Sequence, residues 1–245
     1  MKAVILAAGY ATRMYPLTLN FPKPLLPVGG KSIIDWLTDD IQASGIRDIF
    51  VVTNHKFYPA FLEWSEKREG ITVLDDLTES NETRLGALRD IEYVIRSAHI
   101  DDDIFVIAGD NVLDFSFRSF LSYALDKKTS CIMRHYQSDT EKLRRTGVCL
   151  VDGNDRVISM EEKPQNPPSC WAVPPFYYYT RGDLPLLDCA IAEGISTDAP
   201  GSFVSYLCRK STVHAFLMPG RRYDIGTIEG WERLRESYRG ITETC

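Results

Sequence analysis

The sequence predicts an α/β fold, a mostly parallel twisted sheet with helices on both faces, and three observations carry that expectation. Four short runs, at residues 4–6, 49–52, 71–74 and 104–108, have the length of strands, and all but 71–74, which Thr72 interrupts, have the unbroken hydrophobicity of strands buried on both sides. Stretches with apolar residues at helical spacing separate them, the alternation that a parallel sheet needs for its crossovers. Turn-forming residues close three of the runs: Ala7-Ala8-Gly9, Thr53-Asn54 and Gly109-Asp110-Asn111. Such sheets bind ligands beyond the carboxyl ends of their strands, so Gly9, Asn54 and Asp110 are expected along one rim.

Each element has its own justification. Residues 4–6 read as the first strand, entering a tight turn. Ile33, Ile34, Trp36, Leu37 and Ile41 mark a helix over 33–44. The second strand leads to a helix over 57–68, and the third to a helix over 84–97. The later half changes character, with shorter strands at 130–135, 148–151 and 156–160, the last two joined by the turn Asp152-Gly153-Asn154-Asp155. An aromatic-rich strand over 171–179 is interrupted by Pro174-Pro175. A helix over 184–192, a strand over 213–217 and an amphipathic helix over 227–239 complete the chain. No repeat, low-complexity tract or linker divides it, and 245 residues are within reach of a single α/β domain.

Composition narrows the function. A net charge of −6 with no basic run or basic–aromatic stripe speaks against a nucleic-acid partner, so an anionic ligand must be met by a few local cations and backbone N–H groups. The N-terminus has no signal-peptide core, and no apolar run approaches the roughly 20 residues that span a bilayer, so a cytoplasmic protein without membrane contact is expected. The six cysteines are scattered without a CxxC pair, which reads as reduced thiols rather than a zinc site or disulfide framework. His55, His99, His135 and His214 have no sequence partners that suggest acid–base work.

The densest chemical signal is the segment Leu6-Ala7-Ala8-Gly9-Tyr10-Ala11-Thr12-Arg13, followed by Phe21-Pro22-Lys23-Pro24. Small residues at 7–9 and 11 let backbone N–H groups approach phosphate oxygens. Arg13 adds forked donors and Lys23 a point charge. Taken alone, Gly9 is an ordinary turn glycine. The pattern continues through Gly109-Asp110-Asn111, Thr146-Gly147-Val148, Glu161-Glu162-Lys163-Pro164, Trp171-Ala172-Val173 and Tyr223-Asp224-Ile225-Gly226-Thr227. These motifs, in this order, resemble the sugar-1-phosphate nucleotidyltransferases, the family that includes glucose-1-phosphate thymidylyltransferase.

The resemblance implies a Rossmann-like fold of the nucleotide-diphospho-sugar transferase type, with a nucleotide-binding half over about 1–115 and an acceptor-binding half over about 116–245. It implies that an NTP is condensed with a sugar 1-phosphate to give an NDP-sugar and pyrophosphate. Asp110 and Asp224 would hold Mg²⁺, which needs only one or two carboxylates beside waters and phosphates. Residues 6–13, Gly86 and Asp110 would bind the nucleotide. Gly147, Glu162, Lys163, Val173 and Arg145 would bind the acceptor, and Arg13, Lys23, Asp110, Lys163 and Asp224 would carry catalysis. A phosphate monoester carries about −1.5 to −2 charge at pH 7, so its oxygen is already a nucleophile and no general base is required. Asp114 reads as a turn or helix-start residue instead of a ligand.

Three positions depart from the pattern. Ala11 stands where a second glycine is usual, which requires φ to stay negative there. Pro174-Pro175 replace a small residue and glycine, and the segment 198–203 replaces a glutamate-containing acceptor motif. The last two leave open a phosphorylated alcohol, such as phosphocholine or glycerol phosphate, as acceptor with CTP. A nucleotide-binding regulatory module is the reading from a different class, and retention of both aspartates counts against it. The base is expected to be a pyrimidine, and a homodimer is left open as the assembly.

Overall fold

The computed structural model describes residues 1–223 and 225–242. Its strands in chain order are β1 Lys2–Leu6, β2 Pro27–Val28, β3 Lys31–Ser32, β4 Ile49–Thr53, β5 Ile71–Asp75, β6 Ile104–Ala108 and β7 Val112–Leu113. Then follow β8 Ser130–Tyr136, β9 Gly147–Val151, β10 Val157–Glu162, β11 Trp171–Val173, β12 Phe176–Tyr179, β13 Val213–Leu217 and β14 Arg222–Tyr223. The helices are α1 Ile33–Ala43, α2 Tyr58–Ser65, α3 Ala87–Ser97, α4 Arg118–Lys127, α5 Thr140–Leu143, α6 Pro185–Ala192, α7 Gly201–Leu207 and α8 Ile228–Ser237. The fold is α/β and Rossmann-like, as expected. Among the described residues no helix is long and apolar enough to cross a membrane.

The chain folds into two compact units. The first comprises Lys2–Arg84, Ala108–Arg118 and the chain from Pro219 onward. Its strands β1, β4 and β5 pair in parallel, Leu6 with Val52 and Val52 with Leu74. Val4, Ile5, Val51 and Val52 are fully buried, which accounts for the unbroken apolar runs. Helix α1 begins at a capping box: Ser32 Oγ accepts the Asp35 N–H at 3.2 Å, and the Asp35 carboxylate accepts the Ser32 N–H at 3.0 Å. Two joints tie the strand ends together. The Leu6 carbonyl accepts the Gly109 N–H at 2.8 Å, an approach that puts a Cβ at 109 within 2.9 Å of Ile5. The buried Asn54 side chain donates to the Ala8 carbonyl at 2.9 Å while its oxygen accepts the Phe57 N–H.

The second unit comprises Leu85–Ile107 and Ser119–Met218, with Met1. Here β12 pairs antiparallel with β6 and with the early part of β8, and β11 with the late part of β8 and with β9. Pro174-Pro175 mark the step between them, where a missing backbone donor does no harm. Strand β10 closes the hairpin with β9 across the expected turn, and β13 runs parallel to β8 on its other side. Helices α4, α5 and α7 lie outside the elements expected from the sequence. Phe120, Leu121 and Ala124 form the buried stripe of α4, whereas α7 is buried all round and so shows no polar face.

The capping box yields a stability test. Ser32→Ala should lower stability by about 1 kcal/mol in chemical denaturation, while leaving the activity of the folded fraction unchanged.

Candidate active site

In the first unit the residues after β1 line a cavity of about 480 Å³. Leu6, Ala7, Gly9, Tyr10, Ala11, Thr12 and Arg13 all contribute to its wall, while Ala8 is buried behind them. Small side chains here expose backbone to the cavity, the arrangement an anion needs. Ala11 does not have the negative φ expected. It sits in the left-handed region at φ 47, held there because its carbonyl accepts both the Met14 N–H at 2.9 Å and the Thr18 hydroxyl at 2.8 Å. The two bonds offset the roughly 1–2 kcal/mol that this conformation costs a residue with a Cβ.

Lys23 and Asp110 meet at the cavity, although 87 positions separate them in the chain. Lys23 Nζ donates to Asp110 Oδ2 at 2.7 Å; the lysine is 9 % exposed, the aspartate 45 %. Desolvation by the surrounding protein would raise the Asp110 carboxyl, but the Lys23 ammonium, its hydrogen bond and the Arg222 charge outweigh it and bring it below the usual carboxylate range. Asp110 is therefore an anion at neutral pH. Asn111 next to it is nearly buried, its amide donating to the Ala108 carbonyl and its oxygen accepting from Arg222 at 3.1 Å. Asp224 lies outside the described residues; its neighbours Ile225 and Gly226 line the same cavity. Asn81 and Arg84 also line it, with the Arg84 guanidinium donating to the Asn81 carbonyl at 3.2 Å.

The second unit gathers Gly147, Glu162, Lys163 and Val173. Gly147 pairs with Glu162 on one side and Val173 on the other. A Cβ at 147 would lie 2.6 Å from Met160 Cε, and one at Gly201 only 1.9 Å from Glu162 Oε1. Two glycines thus make room for one carboxyl. Burial pushes that carboxyl up to about 7, against the opposing effects of the Lys163 charge and the Gly201 N–H. Lys163 itself is held at φ 49, its N–H donating to the Thr146 carbonyl at 3.0 Å. Arg145 is exposed two residues before Gly147. Its neighbour Arg144 is engaged by Glu141 and the Gln165 carbonyl, which leaves Arg145 the candidate of the two. The segment 198–203 leads into α7, which packs on β10 through the Ser205 hydroxyl and the Met160 carbonyl, 2.6 Å apart. Gly86 also belongs to this unit, at φ 90 before α3, where a Cβ would meet the Thr197 carbonyl at 2.7 Å. It is not part of the cavity wall.

Among the described residues no three His, Cys, Asp or Glu side chains are gathered as metal ligands. His55 pairs with Asp75 and His214 with Thr129, and neither lines the cavity.

Comparison with known proteins adds four findings. A family model described as nucleotidyl transferase matches residues 2–239. The UTP–glucose-1-phosphate uridylyltransferase of Haloferax volcanii is 25% identical over 99% of this chain and 100% of its own length. A glucose-1-phosphate thymidylyltransferase of Neisseria meningitidis is 33% identical over 73% of this chain, which spans 61% of it. Among solved structures, a Bacillus anthracis protein assigned as a glucose-1-phosphate thymidylyltransferase and crystallised with sucrose has the same fold, with a TM-score of 0.79 at 22% identity over 100% of this chain and 98% of that one.

The burial of Glu162 predicts a pH dependence. Its folded-state value, about 7, lies above the ordinary 4.5, so between these limits the unfolded chain is ionised while the folded one keeps its proton. Stability therefore falls as pH rises through that window, by an amount on the order of 3 kcal/mol when complete. Glu162→Gln should unfold at higher denaturant than the parent at pH 8, and the advantage should shrink toward zero at pH 4.5.

Proposed function

Because the chain belongs to the nucleotidyl transferase family, we propose that it condenses a pyrimidine nucleoside triphosphate with a sugar 1-phosphate, forming an NDP-sugar and releasing pyrophosphate. The observation that carries this is the Lys23–Asp110 pair, set in a cavity whose wall is the small-residue loop after β1. A binding module needs the loop but has no use for a carboxylate kept charged in the middle of an anion site. By their names the Haloferax relative uses UTP and both relatives act on glucose 1-phosphate, which favours a sugar phosphate over a phosphorylated alcohol.

In this reading the acceptor phosphate oxygen attacks the α-phosphorus, a new P–O bond forms, and the bond to the pyrophosphate oxygen breaks. The protein's part is to align two anions and offset their charge. The backbone of residues 9–13 and the Arg13 guanidinium would hold the triphosphate. Lys23 would do two things, fixing Asp110 and adding positive charge. In the second unit, Glu162 would accept from or donate to sugar hydroxyls, Lys163 and Arg145 would bind the acceptor phosphate, and Gly147 and Val173 would border the sugar.

The residues present fit a divalent ion. Asp110 offers hard carboxylate oxygens to the cavity, Oδ2 bonded to Lys23 at 2.7 Å and Oδ1 held only by a long contact with the Asn111 amide at 3.5 Å, and Mg²⁺ asks for little more from a protein. Asp110 and Asp224 are the residues that would hold it. Bound there, the ion would neutralise charge on the phosphate oxygens.

The test is a pyrophosphate-release screen across nucleoside triphosphates, sugar 1-phosphates and phosphorylated alcohols with Mg²⁺. Turnover is expected with a pyrimidine triphosphate and a sugar 1-phosphate. Release confined to CTP with phosphocholine or glycerol phosphate would move the acceptor to the alcohol class. Asp110→Asn should lower kcat by about 10³-fold while the cooperative unfolding transition is kept; near-normal turnover in that variant would remove Asp110 from catalysis.

A further inference from the structure

Resting on the nucleotidyl-transfer reading, we propose that Asp114 is a positioning residue that keeps the segment carrying Ile225 and Gly226 in register with the loop carrying Asp110. Both segments belong to the first unit and both line the cavity, but Asp114 does not. It acts through its neighbours.

The two segments are joined by the ladder of β7 and β14, which consists of two residue pairs: Leu113 with Arg222 and Val112 with Tyr223. A ladder this short is marginal by itself. Asp114 locks it. Its Oδ1 accepts the Arg221 N–H at 2.6 Å and its Oδ2 the Tyr223 hydroxyl at 3.2 Å, so one carboxylate grips the chain on either side of Arg222. Its backbone N–H donates to the Arg221 carbonyl, and its carbonyl accepts both the N–H and the hydroxyl of Thr242. The approach is close enough that a Cβ at Gly220 would lie 2.4 Å from Asp114 Oδ1.

Register is what this grip controls. A slip of one residue along β14 would carry Ile225 and Gly226 about 3.3 Å along the cavity wall, away from the place they hold beside Asp110. Arg222 would lose Asn111, the residue next to Asp110, in the same movement. The ties at Asn111 and at Leu113, whose carbonyl accepts the Tyr238 hydroxyl, secure the loop but do not hold both flanks of Arg222. Among the described residues Asp114 is the side chain that does.

Asp114→Ala should lower kcat about 30-fold while the KM for the triphosphate moves less than about threefold, because misplacement by an ångström or more costs alignment rather than binding. Asp114→Asn, which still offers an oxygen to the Arg221 N–H, should recover to within about fivefold of the parent. Hydrogen exchange should quicken at the amides of 222, 223, 225 and 226 in Asp114→Ala and stay unchanged in β1 and β4. Gly220→Ala, whose methyl would meet the same carboxylate oxygen and also the Phe115 side chain, should reproduce both effects and serves if Asp114→Ala does not fold. Folded variants with parental kcat, or a kcat loss matched by Tyr238→Phe, which loosens the loop without touching Asp114, would overturn the proposal. A parent protein that releases no pyrophosphate would sink the functional reading alone; exchange at the same amides would then decide, with faster exchange in Asp114→Ala supporting the role and unchanged exchange ending it.

Discussion

The ion pair between Lys23 and Asp110 is the interaction on which the cavity depends. Lys23 is almost wholly withdrawn from water, so its ammonium needs an anion within reach. Asp110 stands at the end of a buried strand with its carboxylate turned into a concave wall, and the cations beside it outweigh the desolvation it meets there. Leaving either without the other would cost on the order of 1–3 kcal/mol. The pair pins a loop that follows β1 to one that follows β6. The Leu6 carbonyl and the Gly109 N–H make the same connection through backbone.

Close approach recurs as the way this chain builds chemistry. Gly109 lets one loop lie on the end of β1, and Gly147 and Gly201 let a carboxyl sit against backbone on two sides. In each place the missing Cβ sets where a polar group can stand. Ala11 and Lys163 show the complementary device, a side chain in the left-handed region held by hydrogen bonds on its own peptide groups. Both belong to the motifs that suggested nucleotidyl transfer, and strain of this sort persists only where the surroundings over-determine it.

Electrostatically the two carboxyls proposed for the active site are opposites. Asp110 is kept charged by Lys23 and Arg222 despite its crowded setting, as a ligand for a cation or a partner for cationic side chains must be. Glu162 is pushed toward its neutral form by burial, which lets it both donate to and accept from hydroxyl groups. Two environments give the same functional group two abilities, one suited to phosphate and metal, the other to a polyol.

What the amino-acid order determined alone was local. Buried runs such as Val4-Ile5-Leu6 and Ile49-Phe50-Val51-Val52 became parallel strands because nothing but a strand between two covered faces suits them. Ile33 to Ile41 became α1 because its apolar period and its Ser32 cap agree. The motif residues Gly9 to Arg13, Lys23 and Asp110 could be picked out by type and order. The tertiary structure decided what depends on distant partners. It paired Lys23 with Asp110, brought Asn81 and Arg84 to the cavity, and joined β7 to β14 through Asp114 across more than a hundred residues. It also gave Ala11 a positive φ that its side chain disfavours, through the hydroxyl of Thr18. Helix α7, buried on every side, carries no periodicity to read. The physical reason is common to all of these. Periodicity and turn chemistry act over a few neighbours, whereas charge pairing, glycine contacts and ladder register depend on which segments the packed core places side by side.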